Sequence, residues 1–324
     1  MKEIVNLLKE IAKRGERVLV LCHENADVDA VASVTVTCDA LNSLGARAWA
    51  GCESLSKLAE HVLSLTGRNV QTEPSFDADY FLLLDTSSLR HLGNRFAERL
   101  KNAKVLMVDH HRPVEEEKGM LMAAYIDETS TSEAELVLRL VRELGITPTP
   151  EQSTLLLAGI LTDTTDLRLA KPRTFAAILE LLQLGADYNK AQEMVKLPEE
   201  PSRRIAMLKA AKRAEIEEIK NFIVVFSEVG SFEADAAVAL LKLGADLAFV
   251  GSQDEERVRV SARARPEVCE RTRLHLGQLM IEAARTFNGT GGGHAGAASF
   301  TGKTSLAEIK GWLVNKLYEH LAPK

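Results

Sequence analysis

The stretch VLVLCHENADVDAVASVTVTCDALNSLG, residues 18–45, places a short aliphatic run before a polar turn and a longer apolar segment. The run at 18–22 has the length and β-branched content of a strand, and the segment at 28–44 is typical of a helix that ends at Gly45. The ionisable residues that follow the run include His23, Asp27 and Asp29. The stretch therefore predicts a strand and a helix joined by a turn that carries ionisable side chains.

The same alternation of strand and helix continues through the first half of the chain. Further strand-like runs lie at 80–84 and 104–108. Helical segments are predicted between and after them, at 55–65, 93–100, 132–144, 151–161 and 174–184. Alternating strands and helices are typical of a parallel sheet with helices on both faces. We therefore predict an α/β fold with a mostly parallel open sheet.

The length and composition predict two globular domains. The chain has 324 residues and a net charge of −6, with 46% hydrophobic and 27% charged residues, and about 150 residues form a typical domain. The ordinary apolar fraction excludes a disordered chain. We predict a first domain at 1–190, a linker helix at 191–220 that contains the charged segment KAAKRAEIEEIK, and a second domain at 221–324 that begins with the strand-like NFIVVFSEV.

The sequence also argues against several classes of protein. Apolar stretches such as 155–161 are far shorter than the roughly 18 to 20 residues of a membrane span, and the charged, amphipathic N-terminus is unlike a secretory signal. We therefore expect a cytoplasmic protein with no membrane partner. Acidic residues outnumber basic ones by 46 to 40, which argues against a broad basic surface for long duplex nucleic acid. The four cysteines have no CxxC spacing and are interpreted as reduced thiols.

Ionisable side chains end each predicted strand of the first domain. Asp85 follows the second run, and Asp109, His110 and His111 follow the third. Asp163 ends a further apolar stretch, AGILTD. In an open parallel sheet the carboxyl ends of the strands share one edge, and ligands bind at that edge. These residues are therefore predicted to converge there.

Convergence of so many carboxylates favours bound cations. Two carboxylates about 4 Å apart repel by roughly 4 kcal/mol at an effective dielectric constant of about 20. The neighbouring imidazoles are neutral ligands near pH 7. Oxygen and nitrogen donors without thiolate suit manganese or magnesium better than structural zinc, and a strand would point Cys22 away from the face of His23. The residues therefore predict a site for divalent cations.

Five sequence motifs resemble those of one family. HENADVDAVAS at 23–33, LLLDTSS at 82–88, VDHH at 108–111 and GILTDT at 159–164 resemble the four motifs of the DHH phosphoesterase family. GGGHAGAAS at 291–299 resembles the glycine-rich signature of its DHHA1 companion domain. The resemblance implies a catalytic α/β domain followed by a smaller α/β domain with a mixed sheet.

The resemblance also implies a centre of two metal ions held by six side chains. The implied ligands are His23, Asp27, Asp29, Asp85, His110 and Asp163. Asp85 would bridge the ions, with His23 and Asp27 completing the first site and the other three residues the second. We expect two Mn²⁺ ions, with Mg²⁺ or Co²⁺ as alternatives, and hydrolysis by a hydroxide that both ions activate.

Two further residues of the third motif are assigned roles by the same resemblance. Asp109 would lie behind the metal centre and orient His110, and His111 would face the scissile phosphate. The remaining histidines of the chain that lie outside every motif are interpreted as surface or packing residues. They are His61, His91, His275 and His320, whereas His294 belongs to the glycine-rich signature.

The sequence departs from the family pattern at four positions that are not implied metal ligands. Ala26 stands where the family usually has a proline, so the first turn is expected to be less stiff. Thr165 and Leu167 stand where many nucleases of the family have a glycine and an aromatic residue, which puts base stacking at the site in doubt. Ser299 replaces the last glycine of the companion signature.

The second domain contains a candidate phosphate-binding strand. RVRVSARAR at 257–265 alternates Arg or Ser with Val or Ala, so a strand would place the arginines on one face. Guanidinium groups match phosphate oxygens. The resemblance implies that the Ser-x-Arg element and the glycine-rich loop bind substrate phosphate. The candidate residues are Ser261, Arg263, Gly292, Gly293 and His294.

The leading hypothesis from the sequence is a manganese-dependent phosphohydrolase of the nanoRNase type. It would release mononucleotides from short oligonucleotides, and adenosine 3′,5′-bisphosphate is a second candidate substrate for the same site. A metal site in one domain and a phosphate-binding strand in the other suit a small nucleotide or short oligonucleotide partner, and a homodimer remains open. The alternatives are a cyclic dinucleotide phosphodiesterase, an inorganic pyrophosphatase, and, from another class, a non-catalytic nucleotide-binding protein.

Overall fold

The computed structural model describes residues 1–73, 77–86, 88–100, 103–112, 121–198, 200–254 and 257–321. The chain forms two compact units, Met1–Leu197 and Pro198–Lys324. Each unit has its own sheet and its own hydrophobic core.

Helices and strands alternate along the first unit. Its helices are α1 (Lys2–Lys13), α2 (Val28–Ser43), α3 (Lys57–Thr66), α4 (Asn94–Ala97), α5 (Glu133–Leu144), α6 (Pro150–Asp163), α7 (Pro172–Gln183) and α8 (Tyr188–Met194). Its strands are β1 (Arg17–Leu21), β2 (Arg47–Gly51), β3 (Tyr80–Leu84), β4 (Val105–Asp109) and β5 (Leu121–Ile126). A short 3₁₀ helix, Leu89–Leu92, precedes α4.

The strands of the first unit form a parallel sheet in the order β2-β1-β3-β4-β5. The strand order therefore reverses at β1, which lies between β2 and β3. Ligands of open parallel sheets bind beyond the carboxyl ends of the strands, next to such a reversal. The predicted α/β fold with a parallel sheet is confirmed.

Helices cover both faces of this sheet, as predicted. Val20 and Leu82 pack on the side of α1, α2, α5 and α6. Leu21, Leu83 and Met107 pack on the other side, with the 3₁₀ helix and α4. Because successive side chains of a strand point to opposite faces, a strand covered on both sides must be apolar throughout. Every residue of β3 and of β4 is accordingly buried.

Side-chain caps fix the starts of the helices that border the sheet edge. The Asp27 carboxylate accepts the backbone N–H of Ala30 at 3.0 Å and begins α2. Ser132 begins α5 in the same way. Thr149 and Gln152 form a reciprocal capping box at α6, which is typically worth about 1 kcal/mol of helix stability. These caps determine where the first turns of α2 and α5 lie.

The second unit is smaller and contains a mixed sheet. Its helices are α9 (Pro201–Lys212), α10 (Glu233–Lys242), α11 (Pro266–Thr272), α12 (Leu276–Thr286) and α13 (Leu306–His320). Its strands are β6 (Glu215–Ile219), β7 (Phe222–Glu228), β8 (Leu247–Gln253), β9 (Val258–Ala264), β10 (Thr290–Gly293) and β11 (Ala297–Gly302). The sheet order is β10-β11-β9-β8-β7-β6, with β7 and β8 parallel and the other pairs antiparallel. The predicted mixed sheet is confirmed.

Several local predictions were wrong. The segment KAAKRAEIEEIK is helical only as far as Lys212, because residues 215–219 pair with β7 as strand β6. Gly292 and Gly293 lie in strand β10 rather than in a loop. The helix predicted at 93–100 is reduced to the short α4, and β2 and β5 were not predicted.

The cysteine prediction is confirmed by the structure. Cys22, Cys38 and Cys52 are buried free thiols, and Cys269 is partly buried and also free. Among the described residues, none of the helices combines the length and apolar character that a membrane crossing requires.

Candidate metal centre

Ionisable side chains from several elements of the first unit meet at the carboxyl edge of its sheet. His23 and Asp27 lie in the turn after β1, and Asp29 lies in the first turn of α2. Asp85 follows β3 directly, and Asp109 is the last residue of β4. His110 and His111 come next in the chain, and Asp163 ends α6. The parallel sheet brings these distant residues to one edge, as the sequence predicts.

The ligand atoms of these residues form overlapping groups. In each group, one nitrogen or carboxylate oxygen per residue lies within 4.8 Å of all the others. One group is His23, Asp27 and Asp85. A second group is Asp29, His110 and Asp163. A third group is Asp85, Asp109, His110 and His111.

Asp85 lies at the centre of the cluster. Its carboxylate oxygens are 3.6 Å from His23 Nε2 and 3.3 Å from His110 Nε2. The side chain is almost fully buried, and burial alone would raise its pKa. The hydrogen bonds from His110 and His23 outweigh burial and hold the pKa of Asp85 well below its usual value. Its backbone has φ of 55°, a left-handed conformation that aspartate tolerates better than most residues.

The ring orientation of His23 suits a metal ligand. Its Nδ1 lies 2.8 Å from the Glu24 carbonyl, so Nδ1–H donates there, and Nε2 lies 3.6 Å from the Asp85 carboxylate. Metal-ligating histidines commonly donate their other ring N–H to a backbone carbonyl in this way. An imidazole nitrogen and a carboxylate oxygen at 3.6 Å are bridged by a cation, either a proton on Nε2 or a metal ion.

Asp29 is held by the N-terminus of α5. Its two carboxylate oxygens accept the backbone N–H groups of Glu133 at 2.6 Å and Ala134 at 3.0 Å. These bonds fix the carboxylate beside His110 and Asp163. Gly159 of α6 leaves the space for it, because a Cβ at this position would lie 2.6 Å from Asp29 Oδ1.

Asp109 supports both histidines of the third motif. Its Oδ1 accepts the backbone N–H groups of His110 at 2.7 Å and His111 at 3.1 Å, and it lies 2.9 Å from Nδ1 of the His111 ring. Asp109 thus orients the backbone of His110, for which the sequence proposed it, and also the ring of His111. The hydrogen bond to Asp109 raises the pKa of His111.

The charges of the cluster call for cations. Burial raises the pKa of Asp163 to about 7, with the carboxylates of Asp85 and Asp27 adding to the effect. Burial raises the pKa of Asp29 well above its usual value for the same reason. Burial would lower the pKa of His23, but the hydrogen bond to Asp85 and the charge of this carboxylate raise it to about 9. Four aspartates and two imidazoles match two hard divalent cations in both charge and donor type, so the residues fit a two-metal centre.

The turn that carries Ala26 is stiffened by hydrogen bonds. Ala26 donates its N–H to the Ser54 carbonyl at 2.9 Å, and its carbonyl accepts the N–H of Ser56 at 2.9 Å. A proline at this position could not make the first bond. A backbone bridge thus holds the turn that the sequence led us to expect to be less stiff.

Sequence reasoning missed two residues beside the cluster. Glu133 is fully buried, and neither of its carboxylate oxygens has a hydrogen-bond partner among the described residues. Burial raises its pKa well above the usual value, and the charge of Asp85 adds to this. His91 of the 3₁₀ helix lines the cavity at the cluster. Neither residue belongs to a recognisable motif, so only the tertiary structure reveals their positions.

The cavity at the cluster is small. It has a volume of about 220 Å³. Its lining residues are His23, Asp27, Asp85, Thr86, His91, His111 and Asp163. Small-molecule sites usually measure about 300 to 1,000 Å³, so this cavity has room for a phosphoryl group rather than for a whole nucleotide.

The candidate residues of the second unit lie on neighbouring strands. Ser261 of β9 pairs with Ser299 of β11, which pairs in turn with Gly292 of β10. Directly paired residues share a face of the sheet. Arg263 Nη1 lies 3.3 Å from Ser261 Oγ. His294 is exposed and follows β10, and its N–H donates to the Ala297 carbonyl.

The glycines of β10 differ in their surroundings. A Cβ on Gly291 would lie 2.2 Å from the carbonyl oxygen of Met280, so this glycine lets β10 pack directly on α12. Gly293 has φ of +138°, which favours glycine. A Cβ on Gly292 would meet nothing within 4 Å. Gly292 is therefore the glycine of this strand whose backbone borders open space.

The arginines in and next to β9 differ in their hydrogen-bond partners. Arg259 pairs with Glu233 at 3.2 Å. Arg265 donates to the Ala245 carbonyl at 2.9 Å. Arg263 has no acidic partner among the described residues, and its guanidinium contacts Ser261 and the Ala262 carbonyl. Arg263 is thus the better candidate for an external anion.

Comparison with known proteins establishes the family. The model of the DHH family N-terminal domain matches residues 17–160, and that of the DHHA1 domain matches residues 209–318. An uncharacterised protein of Methanocaldococcus jannaschii is 34% identical over 94% of this chain and 92% of its own length. The chain belongs to the DHH family, as the motifs predict. It is a phosphoesterase, a hydrolase that acts on phosphoric ester bonds.

Two further proteins illustrate the range of similar sequences and structures. The cyclic-di-AMP phosphodiesterase PdeA of Listeria monocytogenes is 25% identical over 97% of this chain and 49% of its own length. The crystal structure of an exopolyphosphatase-related protein of Bacteroides fragilis has a TM-score of 0.57 and 17% identity, and the match covers 99% of this chain and 98% of that chain. At this identity the structural match shows a shared fold.

Proposed function

We propose that this phosphoesterase is manganese-dependent and releases mononucleotides from short oligonucleotides, and that the same site dephosphorylates adenosine 3′,5′-bisphosphate. The observation that carries the proposal is the pair of ligand groups at the sheet edge. The group of His23, Asp27 and Asp85 and the group of Asp29, His110 and Asp163 each bring three donors within 4.8 Å. Asp85 also lies 3.3 Å from His110, so it can join both groups.

The size of the cavity supports a substrate that enters by one end. A volume of about 220 Å³ holds a phosphoryl group but leaves the nucleosides outside. The end of a short oligonucleotide and the phosphate of a small nucleotide meet this condition. Manganese is preferred over magnesium because imidazoles are among the donors, with Mg²⁺ and Co²⁺ as substitutes.

The side chains of the first unit would have separate roles in hydrolysis. When bound, the two ions would lower the pKa of a water molecule and neutralise charge on the phosphoryl group. Asp109 keeps the His111 ring oriented, so that this imidazole can donate to a phosphoryl oxygen. The described residues that line the cavity include no serine or cysteine, and Thr86 already donates its hydroxyl to the Ser88 carbonyl. Water is therefore the proposed nucleophile.

We further propose that residues 1–190 form the metal-binding domain and 221–324 the substrate-binding domain, joined by 191–220. In the second domain, the phosphate of the substrate would contact Ser261, Arg263, Gly292, Gly293 and His294. The contact between Arg263 and Ser261 and the open space at Gly292 support this assignment.

A substrate panel tests the proposed activity. The purified protein is incubated with Mn²⁺ and, separately, with di- to pentanucleotides, adenosine 3′,5′-bisphosphate, cyclic di-AMP and pyrophosphate, and the products are separated by chromatography. We expect mononucleotides from the oligonucleotides and AMP from the bisphosphate. Absence of both products would refute the proposal, and tight nucleotide binding without turnover would indicate a binding protein.

A cyclic dinucleotide phosphodiesterase is the second candidate function. The similarity to the Listeria cyclic-di-AMP phosphodiesterase over 97% of this chain favours it. Faster turnover of cyclic di-AMP than of any linear oligonucleotide in the same panel would support this function. Phosphate release from pyrophosphate alone would instead indicate a pyrophosphatase.

The role proposed for Arg263 has its own test. Arg263→Ala should raise KM about tenfold and leave kcat nearly unchanged, because the side chain would anchor the substrate in both ground and transition state. Arg259→Ala is the matched control, since Arg259 is already paired with Glu233. An equal change of KM in the two variants would place the phosphate contact elsewhere.

A further inference from the structure

One wall of the metal-centre cavity is formed by a residue that belongs to none of the family motifs. His91 lines this cavity together with His23, Asp85, His111 and other residues of the cluster. It is absent from the three groups of close metal-ligating atoms found among the described residues. Its place is therefore at the cavity but outside the set that can hold the ions.

The fold holds His91 at this wall. In the 3₁₀ helix, Leu89 and Leu92 are three positions apart and so lie on one side of the helix, and both are buried in the sheet core. His91 lies between them in sequence and is exposed. Its carbonyl accepts the N–H of Glu24 at 2.6 Å, which ties the 3₁₀ helix to the turn that carries His23.

A phosphoryl group in this cavity needs hydrogen-bond donors beyond the ions. Among the described lining residues there is no lysine or arginine. Thr86 is buried and its hydroxyl donates to the Ser88 carbonyl at 2.9 Å. The lining also contains two imidazoles outside the predicted ligand set, those of His91 and His111. Because His111 Nδ1 is engaged by Asp109, its Nε2 is the ring atom left for the substrate.

We propose that His91 is a substrate-binding residue that donates a hydrogen bond to the scissile phosphoryl group, as a second imidazole beside His111. The proposal rests on the phosphoryl group of the substrate occupying the metal centre, as in the proposed function. It assigns His91 to binding of the phosphoryl group rather than to binding of the metal ions. Any substrate with a phosphoryl group in this cavity would use the contact, whatever the rest of the substrate is.

The test separates metal binding, phosphate binding and turnover. His91→Ala and His91→Gln are compared with the wild type, and His61→Ala in α3 is the matched control because His61 lies outside the cavity lining. Calorimetry first measures Mn²⁺ binding to each protein. The same method then measures binding of inorganic phosphate to the Mn²⁺-loaded proteins, and steady-state kinetics follow on the substrate that the wild type turns over.

We expect His91→Ala to bind Mn²⁺ like the wild type and to bind inorganic phosphate roughly tenfold more weakly, the effect of losing one hydrogen bond to a charged group. KM should rise with the phosphate dissociation constant. The glutamine side chain keeps an N–H donor, so His91→Gln should recover much of the affinity, and His61→Ala should match the wild type throughout.

Three results would overturn the role of His91. In the first, His91→Ala binds inorganic phosphate within about twofold of the wild type. In the second, His91→Ala loses Mn²⁺ binding together with phosphate binding. In the third, the Mn²⁺-loaded wild type binds no phosphate. If the wild type turns over nothing in the substrate panel, the proposed substrates are wrong. The phosphate-binding measurements still decide the role of His91 in that case.

Discussion

Among single residues, Asp85 bears most on the chemistry of the site. His23 and His110 both approach its carboxylate, and its backbone is left-handed at the end of β3. Non-glycine residues in this conformation cost free energy and persist where the surroundings enforce them, often at functional sites. The strain at Asp85 therefore coincides with the point where the two ligand groups meet.

Replacement of Asp85 should remove both ions. Asp85→Asn keeps the size of the side chain and tolerates the left-handed backbone, so the fold should be retained. We expect Mn²⁺ affinity to fall by about a hundredfold or more and turnover to be lost with it. Calorimetry measures how many Mn²⁺ ions each protein binds. Asp79→Asn is the control, because Asp79 forms an ion pair with Arg17 and lies outside the cluster. Retention of two bound ions by Asp85→Asn would contradict the bridging role.

Gly159 provides a second test at the level of one residue. In Gly159→Ala the new Cβ would lie 2.6 Å from Asp29 Oδ1 and 3.1 Å from Asp29 Cα. Asp29 must then move away from the N–H groups of α5. We expect the free energy of unfolding to fall by about 1 to 3 kcal/mol and one of the two ions to be lost.

Gly311→Ala is the control for this substitution. Gly311 lies in α13, and a Cβ there would meet nothing within 4 Å. Alanine is the better helix former, so this variant should be neutral or more stable by about 1 kcal/mol. Urea denaturation and metal stoichiometry are measured on both variants. Normal two-ion binding in Gly159→Ala would show that Asp29 is not a ligand.

At the scale of secondary-structure elements, the sequence predicts the buried parallel strands well and the others poorly. β3 and the first four residues of β4 are continuous apolar runs, so their burial on both faces is visible in the sequence. β2 and β5 lie at the two edges of the sheet and are partly exposed, so pairing rather than composition makes them strands. β6 contains three glutamates and is a strand because it pairs with β7.

The same distinction applies to the site. Residues that follow apolar runs, such as Asp85 and His110, could be located from the sequence because the ends of parallel strands converge. His91 and Glu133 could not. Their places depend on the hydrogen bond from Glu24 to His91 and on the approach of α5 to Asp29, and both are contacts between distant segments.

An ion pair joins α7 to the chain that follows β5. Arg173 of α7 donates to Asp127 at 2.9 Å, and Thr129 also donates to this carboxylate. Burial would raise the pKa of Asp127, but these hydrogen bonds outweigh it and hold the pKa at about 2. An unfolded aspartate titrates near about 3.9. The pair therefore stabilises the fold fully above about pH 4, and this stability is lost as the pH falls toward 2.

Asp127→Asn tests this dependence. At pH 7 the variant should be less stable than the wild type by about 1 kcal/mol, a value that allows for the partial exposure of the pair. The difference should shrink as the pH falls below about 4, because the Asp127 carboxylate of the unfolded wild type then binds a proton that the folded state does not yet bind. Urea denaturation of both proteins between pH 7 and pH 3 measures it. A difference that stays constant over this range would contradict the assignment.

At the scale of the whole molecule, the implied ligands all belong to the unit Met1–Leu197. Several backbone N–H groups of this unit donate to cluster carboxylates, including Ala30 to Asp27 and Ala134 to Asp29. Ion binding should therefore make these bonds more persistent. The phosphate-binding candidates belong to the other unit.

Hydrogen exchange of the full chain tests this division. Addition of Mn²⁺ should slow exchange in peptides that contain Ala30, His110 and Ala134, because bound ions would fix the carboxylates that accept these N–H groups. Peptides that cover β10 and β11 should exchange at the same rate with and without Mn²⁺. Equal protection of both sets of peptides would indicate that the ions bind elsewhere or at more than one place.

The spread of the donors from His23 to Asp163 has a consequence for how the protein is made. A growing chain cannot complete both ion sites until α6 has left the ribosome, since Asp163 is the last residue of that helix. The second unit is still untranslated at that moment. The group of His23, Asp27 and Asp85 is complete within the first hundred residues, whereas the group of Asp29, His110 and Asp163 is complete only when α6 has been made.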